Sequence, residues 1–437
     1  MESPSPLNSC FRFPLQDCNL GCPVGEKRNR SIVFDPRDPE MQQSGVLTGP
    51  LSAARKRLTL PGEVLALAIV IAVPFLIYRS IGPGSRAAFG SNYEQMAIAR
   101  SVVTGHGFGN PFGYTTGPTA AYTPVHPLIL AGILFLRGNR PPAALVLVLT
   151  EIAIQTSGVV LLLYIAKAAF ASWIPGAIAA CGVLLCTWPL PQWESSTAWL
   201  AFEAVFLCAL AGVRWGWTGA VMGLGWLVSP ALGPASLAMV WVVRGRKYVL
   251  ASAALAAILI VPWAARNWLV LRAPILLRDN FGLELFLSNN DFAGTREEDA
   301  EAERYGRWHP GSNAAVASEL ARVGEPEYFR RLQSDALSWI RRHPRRFLKL
   351  TIARIWMWWA SSWLVAGISL LAFAGLWIHR RTAAGKAALA GLLLFPVPYY
   401  VIQFNPRYTY PALWLAALMA GDVCFRLFRR FASAKAV

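Results

Sequence analysis

Acidic side chains are scarce in this chain, and charge of either sign is thin. Asp and Glu number 24 against 41 Lys and Arg, and together these make up 15% of the 437 residues. A soluble domain usually carries about a quarter charged residues. With 55% hydrophobic residues and a mean hydropathy of +0.41, the chain reads as a polytopic membrane protein. Histidine occurs five times; Cys18 and Cys22 could open a metal site, but no second Cys pair or His cluster follows, and the segment from His309 has no metal-ligand spacing. No P-loop, strand-borne G-x-G-x-x-G or G-x-S-x-G elbow is present, which excludes a nucleotide-sugar enzyme with a soluble Rossmann domain.

The basic excess gives a net charge of +17 but forms no stripe interleaved with stacking aromatics. That excludes a single-strand nucleic-acid binder. The cations instead flank apolar runs, as topology signals do. Cys181, Cys186, Cys208 and Cys424 lie inside apolar runs and read as small core residues, while Cys10, Cys18 and Cys22 fall in the leader. No disulfide framework is implied.

Residues 1–59 are polar and rich in Pro and Ser, and are expected to form a disordered cytoplasmic leader. No apolar signal-peptide core precedes Leu60. Met41 is an alternative start, which leaves translation of residues 1–40 open. About ten apolar runs follow, near 60–78, 120–136, 142–166, 174–190, 196–213, 218–243, 248–265, 360–378, 387–404 and 408–425. A spanning helix needs about 20 such residues. Arg55, Lys56 and Arg57 put the N-terminus inside, and Arg137/Arg140, Arg244–Lys247, Arg380–Lys386 and the tail at 431–437 then also fall inside. The expected organisation is a membrane core over 60–265 with a first outer loop at 79–123, a second outer loop at 266–345, and further membrane helices over 346–430.

The second outer loop carries twelve acidic and twelve basic residues and no Lys, the balance of a solvated, folded segment. Its end, "YFRRLQSDALSWIRRHPRRF", places Phe329, Leu332, Leu337 and Ile340 on one face of an amphipathic helix ended by Pro344. That helix suits the membrane interface or the loop's own core equally. In the first loop, "YEQMAIARSVVTG" predicts a short helix with Gly105 as its C-cap, followed by turn-rich connectors.

The order of five segments resembles the GT-C superfamily of integral-membrane glycosyltransferases, which includes protein mannosyltransferases and the bacterial aminoarabinose transferase that modifies lipid A. They are "YEQMAIARSVVTGHGF", "GPTAAYTPVHPLILAGILFLRG", "PWAARNWLVLRAPILLRDNFGLELFLSNN", "HPRRFLKLTIARIWMWW" and "NPRYTYPALWLAALMAG", covering about Leu60 to Arg430. The resemblance implies a polyprenyl-phosphate-sugar donor and chemistry outside a bacterial inner membrane, with both termini cytoplasmic. It implies a glycan, lipid or protein acceptor, membrane lipids as partners and no nucleic acid. No cofactor is certain, and a divalent metal is left open because members of the superfamily differ.

Sugar transfer from a phospholipid needs a base for the acceptor hydroxyl and cations for the phosphate. The first outer loop offers one carboxylate, Glu94, the expected general base; its alternative is a structural acid paired with an Arg. Many relatives carry an Asp–Glu pair there with Asp as base, whereas this chain reads "SNYEQ". Arg407 and Tyr408 are the first candidates for phosphate, against snorkelling to the interface. Arg266, Arg278, Asn280 and Glu284 are further candidates, and the Leu283/Leu285/Leu287 alternation around Glu284 also reads as a packed strand. His106 has at most a modest binding role, and His126 reads as structural. Glu203, inside an apolar run, supports a rival reading as a transporter or flippase of lipid-linked sugars. A catalytically inactive scaffold is the third reading.

Overall fold

The computed structural model describes residues 60–81, 94–137, 141–187, 193–296 and 306–434. The expected leader, and residues 82–93 of the first outer loop, lie outside the described residues. Among the described residues the chain is all-α, with seventeen helices.

Helix α1 (Gly62–Ile81) is followed by α2 (Glu94–Val103), α3 (Val125–Arg137), α4 (Pro141–Phe170), α5 (Ile174–Cys186) and α6 (Trp193–Ala211). Then come α7 (Trp215–Trp226), α8 (Leu232–Arg244) and α9 (Arg246–Leu271). The second polar region folds as α10 (Phe281–Ser288), α11 (Ala314–Val323) and α12 (Glu325–Arg342). The chain ends with α13 (Pro344–Ala360), α14 (Trp363–His379), α15 (Ala383–Leu394), α16 (Val397–Tyr400) and α17 (Pro406–Ala434). Helix α17 therefore continues through much of the expected 431–437 tail.

Among the described residues four helices are long and apolar enough to cross a membrane: α4, α6, α9 and α17. The pair α13 and α14, bent by 85°, makes a fifth if counted as one span. Ten long helices are not shown among the described residues, where Pro interrupts two of the expected runs. The run 218–243 breaks at Leu227–Ala231, where Pro230 stands, and the run 387–404 breaks at Pro396. At 1.5 Å per residue, a 13-residue helix such as α3, α5 or α8 covers about 20 Å, short of the roughly 30 Å hydrocarbon layer.

Helix α3 corrects the expected alternation. It packs on α2 through Leu130, Ala131 and Leu134 against Met96 and Ala99, and Leu147 near the start of α4 joins the same cluster. At the other end of α4, the Phe170 ring lies 4.8 Å from the His379 ring, and His379 pairs with Asp422 of α17. The start of α4 thus lies at the α2 end of the bundle and its finish at the His379 end. The end of α3 at Arg137 lies at the end of the bundle opposite Arg380, whereas the charge pattern placed the two together; Arg140 lies outside the described residues.

Helix α17 is the axis. Every residue from Thr409 to Val423 is buried, with Tyr410 and Trp414 packed against Trp199, Phe202 and Phe206 of α6. Lipid tails are as apolar as Leu, so close backbone approach rather than apolar burial drives such contacts. A Cβ on Gly421 would stand 2.4 Å from the Pro175 carbonyl oxygen, and one on Gly375 would stand 2.5 Å from that of Met419. Gly219 and Gly223 of α7 form a small-xxx-small face on Ser252 and Ala256 of α9.

The polar segments make their own core, in which Phe112 and Ala121 meet Leu283, Leu287, Leu320, Phe329 and Leu332. Leu283, Leu285 and Leu287 lie on helix α10, not on a strand, because α10 is buried around most of its circumference. Gly282 lets it sit directly under the Phe329 carbonyl. On α12 the buried face is Phe329, Leu332, Ala336 and Trp339, whereas Leu337 is 38% exposed. Those four positions follow helical spacing more closely, and they pack α12 on the loop's own core.

Candidate functional site

Glu94 opens α2, where the positive end of the helix dipole favours a carboxylate. The other end of α2 closes as expected: Gly105 takes φ +82°, and the His106 N–H reaches the Ser101 carbonyl. Behind it the loop doubles back. Asn110 Oδ1 accepts from the Thr116 and Gly117 amides, and Gly109 bridges Pro118. Arg266 fixes this turn from α9, donating to the Phe108 carbonyl at 2.6 Å and the Thr119 carbonyl at 2.7 Å while its guanidinium packs over Phe108 and Trp263.

The second outer loop delivers His309 to Glu94, with Nε2 3.8 Å from Oε1. The Gly311 N–H donates to His309 Nδ1, so the neutral ring carries its proton on Nε2, toward the carboxylate. Phe112 packs edge-on to the imidazole.

The next residue of α2, Gln95, is buried and donates from Nε2 to Glu194 in the first turn of α6. The other Glu194 oxygen lies 3.5 Å from Arg278 Nη1. Arg278 Nε donates to Asn280 Oδ1 at 2.7 Å, its guanidinium sits 5.0 Å from the Tyr122 ring centre, and Asn280 Nδ2 reaches Glu284 at 3.4 Å. Burial works against the charge on Arg278, but Glu194 and the neighbouring Tyr122, Glu284 and Tyr399 outweigh it and hold the guanidinium above its ordinary value.

Ser195, beside Glu194, donates to the backbone carbonyl of Arg407 at 3.1 Å. The Arg407 guanidinium lies over Tyr408, 5.2 Å from the ring centre, and Tyr408 stacks on Tyr399 at 4.9 Å. The first turn of α6 therefore ties Gln95 and Arg278 to the Arg407 segment. A carboxylate with a histidine beside it and two guanidiniums are gathered among tyrosines at one end of the bundle.

Of the residues singled out from the sequence, Arg278, Asn280, Glu284, Arg407 and Tyr408 form this constellation, and Glu94 joins it through Gln95. Arg266 donates to the Thr119 and Phe108 carbonyls and to Asn267, and shapes the loop. His106 is exposed, with Nδ1 2.9 Å from the Thr104 hydroxyl, and takes no part. His126 is buried near the start of α3.

Glu194, Gln95, Ser195, Tyr122, Tyr399 and His309 were not singled out. Glu194 lies in a Pro-flanked hairpin that the apolar alternation assigns to the opposite side; its contact with Gln95 overturns that assignment. A buried carboxyl pair, Asp279 and Glu325, was also not singled out. Glu325 accepts from the Thr119 hydroxyl and the Ala120 N–H, and Asp279 donates its own N–H to the Ala120 carbonyl. Burial pushes Asp279 up to about 6, and burial together with the Asp279 charge holds Glu325 well above the usual carboxylate range.

Beneath the site a polar column runs into the bundle. Glu151 accepts from Gln155 and Ser196, Tyr410 reaches Gln155 at 3.4 Å, and Trp199 donates to Glu203 at 2.6 Å. Among the described residues no three His, Cys, Asp or Glu side chains stand together as a metal-holding group. Comparisons of the chain with protein-family models, with curated proteins and with solved structures return no match.

Proposed function

We propose that the protein is a membrane glycosyltransferase that moves a sugar from a polyprenyl-phosphate donor to an acceptor hydroxyl on the outer face of a bacterial inner membrane, with both termini cytoplasmic. One set of contacts carries the reading: Gln95, next to Glu94, and the Arg278 guanidinium share Glu194, and Ser195 beside it bonds the backbone carbonyl of Arg407, whose guanidinium lies over Tyr408. Glu94 takes the acceptor proton, and the acceptor oxygen attacks the anomeric carbon from the face opposite the phosphate. The carbon–oxygen bond to phosphate breaks with inversion, and the charge gathering on the leaving phosphate is met by Arg278 and Arg407. Tyr408 and Tyr122 supply hydroxyl and ring surfaces for the sugar. No step is assigned to a metal; among the described residues no three carboxylates or histidines group as cation ligands.

The test is a transfer assay in membranes with mixed polyprenyl-phosphate sugars, reading released polyprenyl phosphate from wild type and Glu94→Gln. Release that collapses in the variant at equal expression supports the reading. Equal release removes Glu94 as the base. The polar column from Glu151 to Glu203 favours a second reading, a transporter of lipid-linked sugars, because ionisable groups at such depth mark conduction paths in many membrane proteins. Transport without release in the same membranes would select it.

A further inference from the structure

Helix α17 outruns the bundle. Its burial ends at Val423, yet the helix continues to Ala434, about 16 Å further at 1.5 Å per residue. Over that extension Leu427, Phe428 and Phe431 fall on one side, and Arg426, Arg429, Arg430 and Ser433 on the other. Phe428 and Phe431 are each 70% exposed. The end of α14 is fastened beside it: His379 Nε2 lies 2.7 Å from Asp422 Oδ2, and Arg426 Nε donates to the same oxygen at 2.5 Å. That contact brings the α14–α15 turn, with exposed Arg380, Arg381 and Lys386, close to exposed Arg429 and Arg430. Arg380 packs 4.5 Å from the ring centre of Trp377, which is itself 69% exposed. Acid is scarce around these cations. Helices α5, α14 and α15 contain no Asp or Glu, and α17 contains Asp422 alone, buried and already shared by His379 and Arg426. Arg381, Lys386, Arg429 and Arg430 have no acidic partner among the described residues.

Helix α17 is long and apolar enough to cross a membrane, so its end emerges where bilayer meets water. Exposed aromatic rings beside cations are the composition of that boundary. A soluble acidic polymer gains nothing from Phe428 and Phe431, and a zwitterionic lipid gains little from an unopposed cluster of cations. We propose that the α14–α15 turn and the last turns of α17 bind anionic phospholipid headgroups of the leaflet at the end of the bundle opposite Glu94. The lipid phosphates sit at Arg381, Lys386, Arg429 and Arg430, and Phe428 and Phe431 lie among the acyl chains. Each cation at an anionic lipid surface strengthens binding roughly fivefold, so two engaged cations suffice for a preference of about tenfold over zwitterionic lipid. The surface shares no side chain with the Glu94 constellation and does not rest on the transferase reading.

The experiment places the full-length protein in phosphatidylcholine nanodiscs with a trace of phosphatidylglycerol or phosphatidylcholine that carries a photoreactive group near its phosphate. Crosslinked peptides are then mapped. The expected result is that phosphatidylglycerol labels residues 377–386 and 424–434 about tenfold more than phosphatidylcholine does. The excess shrinks as salt rises from about 0.05 M to about 0.5 M, because screening shortens the reach of the exposed charges, and millimolar inorganic phosphate leaves it in place. R381Q/K386Q/R429Q/R430Q loses the excess, and R381K/R429K/R430K keeps it. Equal labelling by the two lipids, an unchanged excess in the glutamine variant, displacement by inorganic phosphate, or phosphatidylglycerol labelling that falls on residues 1–59 instead would overturn the proposal.

Discussion

His309 Nε2 stands 3.8 Å from Glu94 Oε1, joining the second polar region to the first residue of α2. With Nδ1 accepting from Gly311, the ring can only donate toward the carboxylate in its neutral form. In the proposed reaction, a carboxylate held this way would keep its orientation until the acceptor hydroxyl arrives. Glu94→Gln should lower kcat by roughly 10²- to 10⁴-fold, the usual contribution of a positioned base. His309→Gln should lower kcat by about tenfold and leave the donor KM within about twofold, since it removes orientation rather than a donor contact. A rise in KM with unchanged kcat in His309→Gln would make the histidine a substrate-binding group instead.

Arg278 is held between Glu194 and Asn280, so in the proposed reaction a donor phosphate would compete with a resident carboxylate. Arg278→Lys loses the planar fork and should cost roughly ten- to hundredfold in kcat/KM for the donor. Glu194→Gln keeps an acceptor for Gln95 but removes the competing charge. Its donor KM should fall, by no more than about fivefold because the pair is partly exposed. A KM that rises in Glu194→Gln would show that the carboxylate serves the donor rather than opposing it.

Local patterns were legible in the sequence, and long-range ones were not. The apolar spacing of Met96, Ile98 and Ala99 with Gly105 behind it is a one-turn property of the chain, and α2 follows it. The apolar run that becomes α3 carries no signal of whether it crosses a bilayer or lies on α2; that depends on a partner helix. Arg278 and Arg407 drew notice in the sequence because a cation beside an apolar boundary needs a reason, and the structure places both near Glu194 and Ser195. His309 did not, since its reason is Glu94, far away in sequence. Glu194 was hidden by an alternation that α3 breaks.

Glu203 accepts a hydrogen bond from Trp199 inside α6, the lowest step of the polar column. Glutamine keeps the acceptor oxygen and removes the ionisable proton. In a transferase working at the α2 end, Glu203→Gln should leave the transfer rate within about twofold, the size expected for a neutral, hydrogen-bonded replacement. Loss of transfer together with loss of pH-driven uptake in proteoliposomes would move the protein to the transporter class.

Gly219 tests whether the bundle is held by backbone contact. A Cβ there would stand 2.5 Å from the Ser252 carbonyl oxygen, which is backbone and cannot swing aside. Gly219→Ala should push α7 off α9 and cost about 1–3 kcal/mol, the range for overpacking. The thermal midpoint in detergent should drop accordingly, while Gly216→Ala, whose Cβ meets nothing within 4 Å, serves as control and should stay within about 0.5 kcal/mol. Equal midpoints for the two variants would mean that α7 is free to shift.

The Asp279–Glu325 pair makes stability fall as pH rises. Both groups hold protons in the folded protein that the unfolded chain releases near its ordinary values of 3.8 and 4.5. The folded state therefore binds more protons above that range, and the unfolding free energy must decrease with pH there. The loss begins near pH 4, continues through the Asp279 value of about 6, and extends further while Glu325 gives up its proton. Glu325→Gln keeps an oxygen for the Ala120 N–H and can donate an amide hydrogen to Asp279, but it cannot ionise. Its thermal midpoint should therefore be flatter than that of wild type between about pH 5 and pH 8, lying above it at the alkaline end and at or below it at the acid end. Parallel curves for the two proteins would show that the pair is not proton-linked to folding, and that Glu325 holds Thr119 and Ala120 through hydrogen bonds alone.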